Sequence, residues 1–198
     1  MIKNKNPNTQ PSHNEMKEVE NLYKTNQLDL LEIKLRKLIE IHPQTSILFN
    51  ILGVILQKKR LFEDAINSFN KAINIQPNFD QAYNNLGNVL KLIGKFKESV
   101  VEYEKAIKIN PNYAEAYSNL GNVLKELGKF NEAILNHKKA IKINPNYAEA
   151  YSNLGNVLFE LSNYQEAMNA HKQAIKINPN YAEAYSNLGN TLGELGKF

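Results

Sequence analysis

Residues 114–147 read AEAYSNLGNVLKELGKFNEAILNHKKAIKINPNY, and residues 148–181 read AEAYSNLGNVLFELSNYQEAMNAHKQAIKINPNY; the two stretches are identical at 25 of 34 positions. The same period runs outward in both directions. Prolines recur at Pro43, Pro77, Pro111, Pro145 and Pro179, each 34 residues after the last. In register with them stand Phe49, Tyr83, Tyr117, Tyr151 and Tyr185, followed by Leu-Gly pairs at 52–53, 86–87, 120–121, 154–155 and 188–189. Small residues align at Ala65, Ser99, Ala133 and Ala167, rings at Phe69, Tyr103, His137 and His171, and alanines at Ala72, Ala106, Ala140 and Ala174. A fixed period of this length means one supersecondary unit copied and stacked, so chain length does not count domains here.

Within one period the local physics is readable. Tyr117, Leu120, Leu124 and Leu127 recur at spacings of three and four and so share one helical face, which predicts a helix A over 114–127. Asn112, with Glu115 three residues on, has the spacing of an N-terminal cap, and Gly128 suits the left-handed residue that ends a helix. Ala133, Ile134, His137, Ala140 and Ile141 carry the helical period through 132–143, a helix B that Pro145 stops by removing a donor and crowding the preceding turn. Gly121 and Ala133 leave little side chain where the two helices cross. Helices of about 13 residues, roughly 20 Å long, are marginal alone. Their apolar faces must be covered by neighbouring units, and the expected result is an all-α solenoid.

Aromatic, Leu-Gly, small residue, ring, Ala and Pro at repeat positions 4, 7–8, 20, 24, 27 and 32 resemble the tetratricopeptide repeat family. The resemblance implies a right-handed α-α superhelix of 34-residue helix-turn-helix repeats. It divides the chain into a disordered N-terminal tail over 1–11, a degenerate capping repeat over 12–45, repeats over 46–79, 80–113, 114–147 and 148–181, and an incomplete repeat over 182–198. In the capping repeat Glu15 replaces the aromatic and Glu18-Val19 the Leu-Gly pair, as expected where one face meets water. The last helix keeps Tyr185, Leu188, Leu192 and Leu195 without a polar outer face, so the expectation is a fragment of a longer protein, with self-association through that uncapped C-terminal end.

The family resemblance also implies that A helices line a concave groove. Position 6 there carries Asn85, Asn119, Asn153 and Asn187, and position 9 carries Asn88, Asn122, Asn156 and Asn190, three residues on and on the same side of each helix. An amide side chain offers a donor and an acceptor, matching what each peptide unit presents. The two rows are therefore candidate peptide-binding residues, with inter-repeat hydrogen bonding as the competing role. They resemble the asparagine ladder of O-linked N-acetylglucosamine transferases. Hence the alternative to an interaction module is the recognition arm of a larger enzyme, a glycosyltransferase of that kind or a sulfotransferase. A clamp for carboxylate tails would need basic residues at positions 2, 5 and 6; Glu115, Glu149 and Glu183 at position 2 and Ser118, Ser152 and Ser186 at position 5 argue against one.

The net charge of +4 raises the question of nucleic acid. Lys105, Lys108, Lys138, Lys139, Lys142, Lys172 and Lys176 fall on B helices, away from a groove that carries glutamates, which speaks against a phosphate-backbone partner. His137 and His171 occupy a ring position and are expected to pack half-buried between hairpins, and His13 and His42 lie near helix ends without a partner. No catalytic arrangement, metal site or cofactor is expected, and a sequence without cysteine builds no disulfide or thiolate site. Hydrophobic content of 42% with 22% charged residues places the chain among folded proteins. Met1–His13 lacks the apolar run of a secretory signal, and no later stretch suits a membrane span, so a cytoplasmic protein with a protein or peptide partner is expected.

Overall fold

The computed structural model describes residues 10–196, so the expected tail lies, apart from residues 10 and 11, outside the described residues. These form an all-α solenoid of helical repeats: α1 (His13–Lys24), α2 (Leu28–Ile41), α3 (Ser46–Lys58), α4 (Phe62–Ile75), α5 (Asp80–Leu92), α6 (Phe96–Ile109), α7 (Ala114–Glu126), α8 (Phe130–Ile143), α9 (Ala148–Glu160), α10 (Tyr164–Ile177) and α11 (Ala182–Leu195). Odd-numbered helices are A helices and even-numbered ones B helices. The chain divides into two compact units, one ending at Ile93 and one beginning at Gly94.

In the first unit each helix packs on the next, and α3 also packs directly on α5. Its core is built from Leu31, Leu35, Leu48, Ile55, Leu56 and Phe69, all fully buried. Burial of such side chains stabilises by about 1.5–3 kcal/mol each, which these short helices lack on their own. The second unit repeats the scheme, with α7 on α9 and α9 on α11 in addition to the sequential pairs. Tyr103, Val123, Ala133 and Val157 form one buried cluster there, and Leu154, Leu158, Ala167 and Ala170 another.

The crossing of the two helices in a hairpin differs from the sequence expectation. The space beside the position-8 glycine is filled by the ring at position 24: a Cβ on Gly53 would lie 2.6 Å from Phe69 Cε1, on Gly121 2.7 Å from His137 Cε1, and on Gly155 2.4 Å from His171 Cε1. His137 and His171 are thus fully buried inside their own hairpins, not half-buried between hairpins. The glycine is there to seat a ring. In α1 the corresponding residue is Val19, buried, and the α1–α2 hairpin is packed more loosely than the α3–α4, α7–α8 and α9–α10 hairpins.

The helix ends bring a second correction. The N-cap of α7 is Tyr113, and no side chain caps it. Asn112 cannot do so because it lies outside the helix start: its N–H donates to Oδ1 of Asn110 at 3.1 Å, and its carbonyl accepts from the Ala114 N–H at 3.1 Å. The same asparagine-proline-asparagine turn recurs at Asn144 and Asn178. The helix does end as expected at Gly128, φ 73°, where the Lys129 N–H reaches back to the Leu124 carbonyl. That left-handed position recurs at Asn26, Arg60, Gly94 and Ser162.

Glu15, read in the sequence as a lost aromatic, belongs to a capping box. The Glu15 N–H donates to Ser12 Oγ at 3.3 Å, and the Ser12 N–H donates to the Glu15 carboxylate at 2.7 Å. Such a cap is worth about 1 kcal/mol to the helix it starts.

Candidate functional site

The two asparagine rows sit on the A helices, and the structure separates them. At position 6, Asn85 Nδ2 on α5 donates to Asn50 Oδ1 on α3 at 3.0 Å. In the second unit Asn153 Nδ2 on α9 points to Ser118 Oγ on α7 at 3.5 Å. Each bond links position 6 of one A helix to position 5 of the A helix before it. Asn187 has its amide nitrogen buried without an acceptor among the described residues, and Asn119 is buried. Position 6 therefore serves, at Asn85 and Asn153, the inter-repeat role that the sequence offered as the competing one. Buried amides need such partners, since a missing one costs about 1–3 kcal/mol.

Position 9 is different. Asn122 on α7 and Asn156 on α9 are half-buried, and Asn190 on α11 is exposed. Among the described residues these three side chains make no hydrogen bond to the protein; Asn88, their counterpart on α5, does interact with it. Beside the row in the second unit run Glu115, Glu149 and Glu183, all exposed, so this face is polar and carries negative charge at one edge. At the other edge Lys125 reaches Glu160 on the next A helix at 3.4 Å and Glu126 at 3.5 Å. Burial pushes the Tyr147 hydroxyl above the ordinary tyrosine range, with the Glu149 and Glu115 carboxylates adding to it. This face therefore carries amides, carboxylates and a neutral phenol.

In the first unit the row changes character. Ile51 and Val54 on α3 stand where α5 has Asn85 and Asn88. Sequence reasoning followed the asparagines and passed over this substitution, although the 34-residue register displays it.

The B-helix lysines Lys105, Lys108, Lys138, Lys139, Lys142, Lys172 and Lys176 are exposed. His42 is not the isolated terminal residue expected: it is buried at the end of α2, with Nε2 3.8 Å from the Glu15 carboxylate. Among the described residues no group of three His, Asp or Glu side chains has metal-holding geometry, and no helix is long and apolar enough to cross a membrane.

A family model described as TPR repeat matches residues 62–94, 91–128, 121–162 and 155–196. No curated protein matches the chain in sequence. Among solved structures, MamA is similar with a TM-score of 0.71 and 25% identity, over 83% of this chain and 96% of that one. YrrB, described as a TPR protein with an unusual peptide-binding site, superposes with a TM-score of 0.67 at 22% identity, covering 89% and 91%. PilF of Pseudomonas aeruginosa reaches a TM-score of 0.80 at 18% identity, covering 92% and 84%.

Proposed function

Because this chain belongs to the TPR-repeat family, we propose that it is a protein-interaction module that holds an extended polypeptide segment of a partner along the A-helix face. One observation carries this reading: Asn122, Asn156 and Asn190 stand in register on successive A helices with amide groups that, among the described residues, no protein atom engages. A peptide backbone in extended form offers donors and acceptors in alternation, and an amide side chain answers both. In the second unit position 9, with Asn122, Asn156 and Asn190, is the contact row, and position 6 positions the A helices behind it, at Asn153 there and at Asn85 in the first unit. The exposed glutamates at position 2 disfavour carboxylate tails and phosphate backbones as partners.

The test pairs two kinds of variant, with peptides selected from a random library on the immobilised chain. Asn122→Ala combined with Asn156→Ala weakens peptide binding by about tenfold, as expected for two lost hydrogen bonds, and leaves the melting temperature where it was. Asn153→Ala lowers stability by about 1 kcal/mol. Full binding by the position-9 double variant would remove the reading. The repeated asparagines also fit a second reading, in which this module is the recognition arm of a longer glycosyltransferase or sulfotransferase; glycosyl or sulfuryl transfer to a groove-bound peptide by the product of the uninterrupted gene tests it.

A further inference from the structure

Consecutive A helices bring their backbones close together at α3–α5, α7–α9 and α9–α11, whereas among the described residues the backbones of α1 and α3 stay further apart and meet only through side chains. Val19 takes the place of the glycine that elsewhere seats a ring, and the α1–α2 hairpin is packed more loosely than the α3–α4, α7–α8 and α9–α10 hairpins. Between the two helices lies an open cleft of about 580 Å³. Met16 and Tyr23 line it from α1, and Ile51 and Val54 from α3, with Val19 and Asn50 buried at its floor. Asn50 is also the acceptor for Asn85, so the floor of the cleft is hydrogen-bonded to the first residue of the asparagine rows.

The mouth carries positive charge. Lys17 lies in the lining, Lys58 sits with Nζ 4.3 Å above the Tyr23 ring, and Lys24 is paired with Glu20, the one carboxylate of the lining. That pairing neutralises Glu20, whose carboxyl is held below its ordinary range by Lys24. What remains is an apolar cleft whose mouth carries Lys17, Lys24 and Lys58 against Glu20, the one carboxylate of the lining.

We infer that this cleft is an anchor subsite for an amphipathic partner segment that carries two large apolar side chains flanked by carboxylates. The inference rests on the reading that a polypeptide lies along the A helices and names the chemistry of its anchored part. Exposed apolar surface gathered in a concave, polar-rimmed place is where a binding segment gains most from desolvation, and opposite charge at the rim sets orientation and partner choice. The occupant follows from the cleft: two aliphatic walls and a tyrosine take large apolar side chains, and Lys17 and Lys58 take the flanking carboxylates.

The experiment uses the full chain and three fluorescein-labelled synthetic peptides of equal length: one with Leu and Phe between aspartates, one with alanines in place of Leu and Phe, and one with lysines in place of the aspartates. Fluorescence polarisation gives at least roughly tenfold tighter binding of the first than of either other. Val54→Asp removes the preference for Leu and Phe, and so, independently, does Tyr23→Ala on an exposed side chain, with thermal melts confirming that the variant remains folded. Equal binding of the Leu/Phe and Ala peptides by the parent protein overturns the subsite, as does a preference that survives both substitutions. Asn122→Ala with Asn156→Ala separates the two readings. If it weakens all peptides alike while no Leu/Phe preference exists, the subsite falls and the asparagine reading stands; if it changes nothing while the preference is present and sensitive to Val54→Asp, the subsite stands alone.

Discussion

A methyl group added at Gly121 would land 2.7 Å from the His137 ring, and at Gly155 2.4 Å from the His171 ring. Both rings are fully buried and have nowhere to retreat. Gly121→Ala should therefore cost about 1–3 kcal/mol of stability in urea unfolding, whereas Gly189→Ala, whose methyl would meet no atom within 4 Å among the described residues outside its own turn of helix, should be neutral or stabilise by up to about 1 kcal/mol. Equal effects at the two sites would contradict the ring-seating role. The same rings govern acid sensitivity. Burial, with a smaller contribution from Lys125, lowers His137 from its ordinary value to about 4, and burial lowers His171 too. The unfolded imidazole takes up a proton below about pH 6.5 while the folded one stays neutral, so stability is level above that pH and falls as pH drops toward 4. For His137 the loss is on the order of 3 kcal/mol over that window. His137→Phe, which installs the ring type found at Phe69, should flatten the slope of urea midpoint against pH; an unchanged slope would assign it to carboxylates.

At the scale of the element, the turns between A and B helices share one left-handed residue, glycine at Gly94 and Gly128 but Ser162 at φ 60° and Arg60 at φ 61°. A side chain pays about 1–2 kcal/mol there, part of which glycine returns as unfolded-chain entropy. Ser162→Gly should thus raise stability by about 0.5–1 kcal/mol, read as a shift of the urea midpoint at constant slope; a loss would mean that the hydroxyl contributes more than the strain. Helix existence was readable from sequence because the apolar period is regular and Pro and Gly punctuate it. The caps were not: Asn112 has the right spacing to Glu115, yet the asparagine two residues earlier captures its N–H and the helix starts later. Ser12 and Glu15 form a true capping box with a plain sequence signature, obscured because Glu15 was compared with the aromatic of other repeats. The distinct fates of the two asparagine rows were hidden as well. Which amide meets the neighbouring helix depends on the rotation of one A helix against the next, and a pattern that repeats identically in every unit carries no sign of it.

For the molecule as a whole, the account makes recognition a matter of backbone reading. If position-9 amides grip peptide units, affinity depends on the bound segment's own N–H and C=O groups and only weakly on its polar side chains. In the proposed reading, side-chain identity enters at the α1–α3 cleft, where Ile51 and Val54 stand at the positions that carry asparagine in α5. The most direct measurement is isothermal titration of the protein with a library-selected peptide and with copies of it N-methylated at successive backbone amides, which removes one donor at a time and keeps every side chain. The account predicts a loss of about threefold at each amide that Asn122 or Asn156 engages and none at the others, and predicts that these losses vanish in the Asn122→Ala, Asn156→Ala protein. Uniform binding of all methylated copies, or the same pattern of losses in the variant, would contradict it.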